Sequence, residues 1–338
     1  MKQIAVGVIG TGTMGQRHCR VYSNLRRAQL VGICDVRREA GQQIAQEYEV
    51  PFYECLDDLL PHVDAVSLVT PTPLHYDLAI RCLAQGKHVL IEKPISETLE
   101  QARALTEIAE VSGLVIQVGH IERFNPTFTE LKNVLDHMTP LAINLRRLSP
   151  YESSNTDVDV VLDLMIHDLD LVLDLTQQKP VSIHAYGLTS FNEAIDHAAA
   201  TLVFPSGPLV TLTASRVTEQ KVRSIEITAL EAYLEGDLLN KSVLVHRHTI
   251  GEYRNNNYRQ ESIVERIHVP GFEPLFLELQ SFVDCIVAGK APRISARDGL
   301  SALELATTIR EIIHEQLIRV NKTRELKPIL TNSIQTLV

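Results

Sequence analysis

The residues Ile4-Ala5-Val6-Gly7-Val8-Ile9 form an apolar run that opens directly onto Gly10-Thr11-Gly12-Thr13-Met14-Gly15. A buried strand that turns through a glycine loop into a helix leaves few folds open to a chain. Gly10 permits the tight turn off the strand, Gly12 lets backbone approach a pyrophosphate, and Gly15 lets the next helix pack on the sheet. That helix presents N–H groups and a positive dipole end to the phosphates. A single G-x-G-x-x-G is a weak signal, because a turn that binds nothing has the same letters. Here Gln16 to Leu25 suits a helix, a second apolar run spans Leu30 to Cys34, and Asp35 closes it. An acid about 20 residues beyond the glycines can accept hydrogen bonds from an adenosine ribose. The order strand, loop, helix, strand, acid predicts a dinucleotide site built from Gly10, Thr11, Gly12, Thr13, Met14, Gly15 and Asp35. Asp35 favours NAD, since it would repel a 2′-phosphate. Arg37 and Arg38, either a solvated helix start or partners for such a phosphate, leave NADP open.

The first third continues this alternation. Short apolar runs at Pro51 to Tyr53, Ala65 to Val69, His88 to Ile91 and Leu114 to Val118 are separated by helical stretches. This predicts a doubly wound, Rossmann-type parallel sheet covered on both faces, over residues 1–120. The rest reads differently. After a strand at Leu141 to Leu148 and a helix at Val160 to Leu175, extended segments follow one another from Val181 to Val269. Pro205-Ser206-Gly207-Pro208 makes a hairpin turn, and Gly251 to Gln260 a polar loop. This predicts an α+β domain over 121–297 with a large, mostly antiparallel sheet, one face open to a partner subunit, and a ligand cleft between the domains. Helices return at Leu275 to Ala288 and Leu300 to Val320.

Four further groups carry chemistry. Thr70-Pro71-Thr72-Pro73-Leu74-His75 follows an apolar strand, where doubly wound sheets bind ligands. It is either a stiff loop for the nicotinamide ribose or a rigid connector. Glu92-Lys93-Pro94 ends the next strand; its X-Pro bond can be cis, and a lysine beside an oxidised nicotinamide is a credible base. Equally, it can be an exposed lysine before a turn. Val118-Gly119-His120-Ile121-Glu122-Arg123-Phe124-Asn125-Pro126 leaves the nucleotide domain with His120 and Arg123 at a strand end. Arg123 either clamps a phosphate or carboxylate of the substrate or makes an inter-domain salt bridge with Glu122 or another acid. Asp163, His167 and Asp170 fall at spacings of four and three in a helix otherwise rich in Leu, Ile and Met. Buried acids without partners are costly, so this stripe is expected to face a polar cleft as a proton shuttle, or to form an internal network. Nearby residues supply too few nitrogen or sulfur ligands for a metal.

At 338 residues the chain exceeds one ordinary core, consistent with two domains. Its net charge of −10 argues against a nucleic-acid or anionic-membrane surface. Cys19, Cys34, Cys55, Cys82 and Cys285 are scattered without a C-x-x-C pair, as in a reduced cytoplasmic protein. The apolar N-terminus reads as the first strand rather than a signal peptide, and no apolar run is long enough to span a bilayer.

Together these residues resemble the glucose-fructose oxidoreductase/inositol dehydrogenase (Gfo/Idh/MocA) family. The likeness rests on Gly10-x-Gly12-x-x-Gly15-x-x-His18, Thr70-Pro71-Thr72-x-x-His75, Glu92-Lys93-Pro94, Asp163-x-x-x-His167-x-x-Asp170 and Ser295-Ala296-Arg297-Asp298-Gly299-Leu300. It implies an NAD(P)-dependent dehydrogenase of a sugar, cyclitol or sugar nucleotide. Lys93 would contact the reacting hydroxyl, Asp163 and His167 would complete proton handling, and Thr70, Pro71, Thr72, His75, Glu92 and Lys93 would line the cofactor. Lys93, His120, Arg123, Asp163 and His167 would line the substrate. It further implies that the last helix, 298–320, packs back on the nucleotide domain, and that homodimers or homotetramers form through the open sheet. The exit segment and Asp163-Leu164-Met165-Ile166-His167-Asp168 look most similar to the UDP-N-acetylglucosamine 3-dehydrogenase branch, which oxidises the sugar C3 hydroxyl ahead of an aminotransferase. Where the wider family has a glycine-rich approach to this helix, the chain has Asp157-Val158-Asp159-Val160-Val161. Arg123, Arg146 and Arg147 are available for a diphosphate. Oxidation of a free sugar or inositol, and a non-catalytic NAD-binding regulator, are the alternatives.

Overall fold

The computed structural model describes residues 3–151, 158–190, 193–248, 253–254, 257–258 and 262–335; Asp157 and most of the expected loop at 251–260 lie outside them. The chain divides into two compact units, Met1–Pro126 with Gly271–Glu304, and Thr127–Pro270 with Leu305–Val338.

In the first unit, β1 (Ile4–Ile9), β2 (Ala28–Cys34), β3 (Phe52–Tyr53), β4 (Ala65–Leu68), β5 (His88–Glu92) and β6 (Ile116–Gly119) form an all-parallel sheet. Its order is β3-β2-β1-β4-β5-β6. The order reverses between β1 and β4, which opens a crevice at their carboxyl ends. The helices α1 (Thr13–Tyr22), α2 (Arg38–Glu47), α3 (Leu56–Leu59), α4 (His75–Ala84) and α5 (Leu99–Ser112) make the connections. All four residues of β4 are buried, as expected of a strand covered on both faces. A capping box between Thr98 and Gln101 starts α5, and Gly113 ends it in the left-handed region.

The second unit holds α6 (Pro126–Leu135), β7 (Pro140–Leu148), a π-helical turn at Val161–Met165, α7 (Ile166–Thr176), β8 (Ser182–Leu188) and β9 (His197–Val203). It continues with β10 (Leu209–Ser215), β11 (Val222–Ala229), β12 (Tyr233–Asp237), β13 (Ser242–His248), the short pair β14 (Tyr253–Arg254) and β15 (Asn257–Tyr258), and β16 (Ser262–Ile267). Eight of these strands form one sheet in the order β16-β13-β12-β11-β7-β10-β9-β8. All its neighbours are antiparallel except β7 and β10. Alternation places Ile143, Leu145, Leu212, Ile225 and Ile227 inside and leaves Arg146, Tyr186 and Leu188 outside. Thr127 Oγ1 donates to Asp237 O at 3.4 Å, and Lys132 Nζ meets Asp174 Oδ2 at 2.8 Å, tying α6 to β12 and α7.

Three elements differ from the sequence expectation. The sequence reading has no helix at Pro126–Leu135, although Pro126 opens α6 and Phe128 and Leu131 are buried from it. The helix α8 (Pro274–Ala288), expected in the second domain, belongs to the first unit. Its stripe of Leu275, Leu279, Phe282 and Val283 completes the core formed by Val6, Val8, Ile33 and Leu90. The last helix, α9 (Ala296–Gln335), starts earlier and runs further than expected, and the boundary of the units falls within it at Glu304.

Candidate active site

The first unit gathers the glycine loop and the ends of β4, β5 and β6 at the carboxyl edge of its sheet. Gly10 has φ +97°, and a Cβ there would lie 2.5 Å from Val69 O, so only glycine fits between β1 and β4. A Cβ on Gly15 would lie 1.9 Å from Gly10 O, whereas one on Gly12 would meet nothing within 4 Å. Gly10 and Gly15 thus shape the loop, and Gly12 faces open space in front of the α1 N-terminus. Asp35, at the end of β2, binds the loop: Thr11 N and Oγ1 each donate to its Oδ2 at 2.6 Å, and Arg37 N donates to Oδ1 at 2.8 Å. Burial pushes the Asp35 carboxyl upward, but the Arg37 and Thr11 donors outweigh it and hold the pKa at about 2. Both arginines that could have met a 2′-phosphate face carboxylates, Arg37 on Asp35 at 3.3 Å and Arg38 on Glu54 at 3.2 Å. Thr70 Oγ1, beyond β4, is buried with no hydrogen-bond partner. The open space at Gly12, the anionic Asp35 and this unsatisfied hydroxyl fit a dinucleotide laid across the switch point.

The Glu92-Lys93-Pro94 segment is braced from two sides. The Lys93–Pro94 bond is cis. His75 Nδ1 lies 2.9 Å from Pro94 O and its Nε2 2.8 Å from Thr70 O, which ties this segment to the Thr70 loop. Burial pushes the His75 pKa below the ordinary imidazole value, against the upward pull of those carbonyls. With both nitrogens on backbone, His75 shapes the loops rather than reaching a ligand. Glu92 Oε1 lies 3.2 Å from His18 Nε2, and Oε2 accepts from Lys93 N at 3.2 Å. Burial raises the Glu92 pKa, but His18 together with the charge and N–H of Lys93 holds the carboxyl below its usual range. His18, present in the glycine signature but given no task there, thus anchors the residue before Lys93. Thr72 begins the short turn into α4, Pro71 precedes it, and Thr13 and Met14 form the first turn of α1.

The exit segment is a strut. Arg123 is buried and sets Nη1 3.3 Å from Asp298 Oδ1, a salt bridge within the first unit rather than the inter-domain one that the sequence offered as an alternative. Burial raises the Asp298 pKa, but donors from Ser295 and the charge of Arg123 bring it below its ordinary value. His120 is buried just past β6.

In the second unit, the π-helical turn changes the expected stripe. Asp163 and His167 are half-buried, but Asp170 is fully buried and does not continue a solvent-facing line. The adjacent Asp168 is paired: Arg147 Nη2 donates to Oδ1 at 2.6 Å and Nε at 3.0 Å, with both side chains buried. Sequence spacing offered no sign of this pair. The Asp159 that replaces a glycine-rich approach caps the turn, its Oδ1 accepting from Val161 N at 2.9 Å and Leu162 N at 3.0 Å. Its Oδ2 lies 2.5 Å from Arg310 Nε.

A glycine loop at the switch point of a six-stranded parallel sheet, with an acid closing β2, defines the chain as a dinucleotide-binding protein. The model of the oxidoreductase family with NAD-binding Rossmann fold matches residues 4–120, and that of the GFO/IDH/MocA C-terminal domain matches residues 142–235. The chain belongs to this GFO/IDH/MocA family: it is an oxidoreductase whose cofactor is NAD. It is 32% identical to the UDP-N-acetylglucosamine 3-dehydrogenase of Acidithiobacillus ferrooxidans over 94% of this chain and 100% of that one. A solved structure of that enzyme superposes with a TM-score of 0.86, covering 93% of this chain and 98% of the other. The scyllo-inositol 2-dehydrogenase (NAD(+)) of Bacillus subtilis is 28% identical over 90% of this chain and 92% of its own length. The fold is shared with scyllo-inositol dehydrogenase of Lactobacillus casei, solved with NAD(H) and scyllo-inositol, at 22% identity, a TM-score of 0.76, and coverage of 93% of this chain and 98% of that one. Among the described residues, no helix is long and apolar enough to cross a membrane.

Proposed function

We propose that the chain oxidises the C3 hydroxyl of a UDP-sugar such as UDP-N-acetylglucosamine to a 3-keto sugar, for amino-sugar synthesis. The observation that carries this reading is the end-to-end match to the Acidithiobacillus enzyme, which runs through both units. Bound NAD supplies the hydride acceptor. Gly10, Thr11, Gly12 and the first turn of α1, Thr13 to Gly15, would hold its pyrophosphate. Asp35 would take its adenosine ribose, a hydroxyl replacing the long contact from the solvent-exposed Arg37 side chain. Thr70, Pro71 and Thr72 would border its nicotinamide ribose, with His75 and Glu92 holding those loops in place.

In the first unit, Lys93 is assigned the reacting hydroxyl, with its backbone held by Glu92 and Glu92 held by His18. In the second unit, His167 is assigned a proton-handling role, and Asp163 is assigned as the carboxylate that supports its charge. The buried Arg123 and His120 shape the first unit behind the site. Assembly into a homodimer or homotetramer through the outer sheet face belongs to the same reading: Tyr186 and Leu188 of β8 are 64% and 59% exposed there. So does work in the cytoplasm, where five cysteines without a disulfide are at home.

The test is NADH formation with purified protein against a panel of UDP-sugars and free polyols. Turnover of a UDP-sugar with inhibition by free UDP is expected. Turnover of inositol or a free sugar alone, without UDP inhibition, would replace the substrate assignment. NAD binding without turnover of any compound would favour a regulatory role.

A further inference from the structure

The second unit contains a cavity of about 150 Å³, and of its wall the roles above use only Asp163. It lies where β7 and β10 end and β11 begins, beside the π-helical turn. Its wall includes Arg147, Arg216, Lys221 and Arg223, with Asp163 as the carboxylate among them. Four basic side chains in one small wall stand out in a chain with 42 acidic residues against 32 basic ones, although Asp168 and Asp196 already compensate two of them. Arg223 stands directly opposite Arg147 in the β7–β11 ladder, which puts the two side chains on one face of the sheet. Arg147 and Arg216 are held from behind. Asp168 grips Arg147, while Arg216 is fastened by Asp196 Oδ1 and by Val158 O, each at 2.6 Å. Lys221, one residue before β11, is exposed.

We infer that this cavity is a subsite for phosphate groups of the substrate, and that its occupant is the diphosphate of the nucleotide sugar. Arg147 and Arg216 form its pre-organised wall, and Arg223 and Lys221 complete it when the anion enters. Guanidinium groups suit this task because their planar fork matches phosphate oxygens in pairs. Asp163 at the same wall repels the phosphates, so the uncharged sugar end lies toward it and the diphosphate toward Lys221 and Arg223. The inference rests on the UDP-sugar reading for the identity of the occupant. The basic cavity itself does not depend on that reading.

The test is calorimetric titration of full-length protein, saturated with NAD so that the cofactor site is filled, using UDP, inorganic pyrophosphate and uridine. Wild type is expected to bind UDP and pyrophosphate and to bind uridine more weakly. Lys221→Ala and Arg223→Gln should each weaken UDP and pyrophosphate about tenfold or more, as for loss of a charged hydrogen bond. Both should leave uridine and NAD affinity unchanged and raise KM for the UDP-sugar more than they lower kcat. Arg223→Lys should recover part of the loss. Since Lys221 is exposed, Lys221→Glu serves as a variant that keeps the fold and repels phosphate. Unchanged UDP and pyrophosphate binding in Lys221→Glu and Arg223→Gln overturns the inference, even if a UDP-sugar is the substrate. Conversely, weakened pyrophosphate binding in a protein that turns over only free polyols keeps the anion subsite and removes the nucleotide sugar as its occupant.

Discussion

Gly12 and Gly15 carry the same letter in one loop, and the structure assigns them opposite consequences on substitution. Gly12 is the N-cap of α1 with φ −64° and ψ −174°, a conformation open to alanine, and an added Cβ meets nothing within 4 Å. Two small terms then set the stability of Gly12→Ala. Alanine restricts the unfolded chain, worth about 0.4–1 kcal/mol. It is a poorer N-cap than glycine by about 0.5–1.5 kcal/mol. These nearly cancel, so the melting temperature of the protein without NAD should stay within about 4 °C of wild type. The methyl group would nevertheless stand where the pyrophosphate approaches. Overpacking of about 1–3 kcal/mol there corresponds to a roughly 5- to 150-fold weaker NAD complex. Gly15→Ala should fail differently. Its Cβ falls 1.9 Å from Gly10 O, a backbone atom with nowhere to go. A cost of about 3 kcal/mol or more would lower melting by roughly 6–12 °C. Differential scanning fluorimetry without NAD and calorimetric NAD titration separate the two effects. The reasoning is refuted if Gly12→Ala binds NAD within twofold of wild type, or melts as early as Gly15→Ala.

Replacing Lys93 by Ala should reduce turnover by about 10²–10⁴ while NAD affinity stays near wild type; retention of most activity in stopped-flow NADH formation would remove Lys93 from its assigned role. Because the folded Asp35 pKa is depressed to about 2, its stabilisation is complete above the ordinary carboxylate range and fades as pH falls toward 2, where the unfolded chain has taken up the proton first. Urea unfolding should therefore show wild type ahead of Asp35→Asn by about 1–2 kcal/mol at pH 7, allowing for solvent screening of Arg37, with a smaller gap at pH 3; an equal gap at both pH values would contradict this. Asp168→Asn leaves the Arg147 charge buried beside a neutral partner and should cost about 3–5 kcal/mol, whereas Arg147→Met with Asp168→Leu should recover most of it. A double variant as unstable as Asp168→Asn would show that the pair stabilises by more than charge compensation.

Local physics made the first unit legible in the sequence. Strands such as Ala65–Leu68 are apolar throughout because both faces are covered, and Gly10 and Gly15 are needed by contacts within one short loop. Asp35 was readable because strand, loop, helix and strand have nearly constant lengths. Pairings between distant segments were not readable in this way. Arg123 and Asp298 are 175 positions apart, and nothing near Arg123 distinguishes a strut from a substrate clamp. The stripe of α8 announced a buried helix face, but its spacing is silent on which core it fills. The Asp163, His167 and Asp170 stripe assumed an unbroken α-helix. A π-helical turn intervenes, and strand alternation in β7 turns Arg147 inward toward the neighbouring Asp168. The same alternation sends Arg146 to the exposed face of the sheet.

The placement of α8 bears on how the protein is made. The Rossmann sheet is finished by residue 119, yet its core needs Leu275, Leu279, Phe282 and Val283. On a ribosome that adds about 5–20 residues per second, the roughly 160 residues between Gly119 and Val283 take about 8–30 s to emerge. During that interval the nascent sheet presents an uncovered apolar face while residues 127–270, most of the second unit, are made. A truncation after residue 126 would make that interval permanent. The NAD-binding half should therefore be handled by chaperones as an unfinished domain during synthesis and recovered in soluble form only with α8 attached.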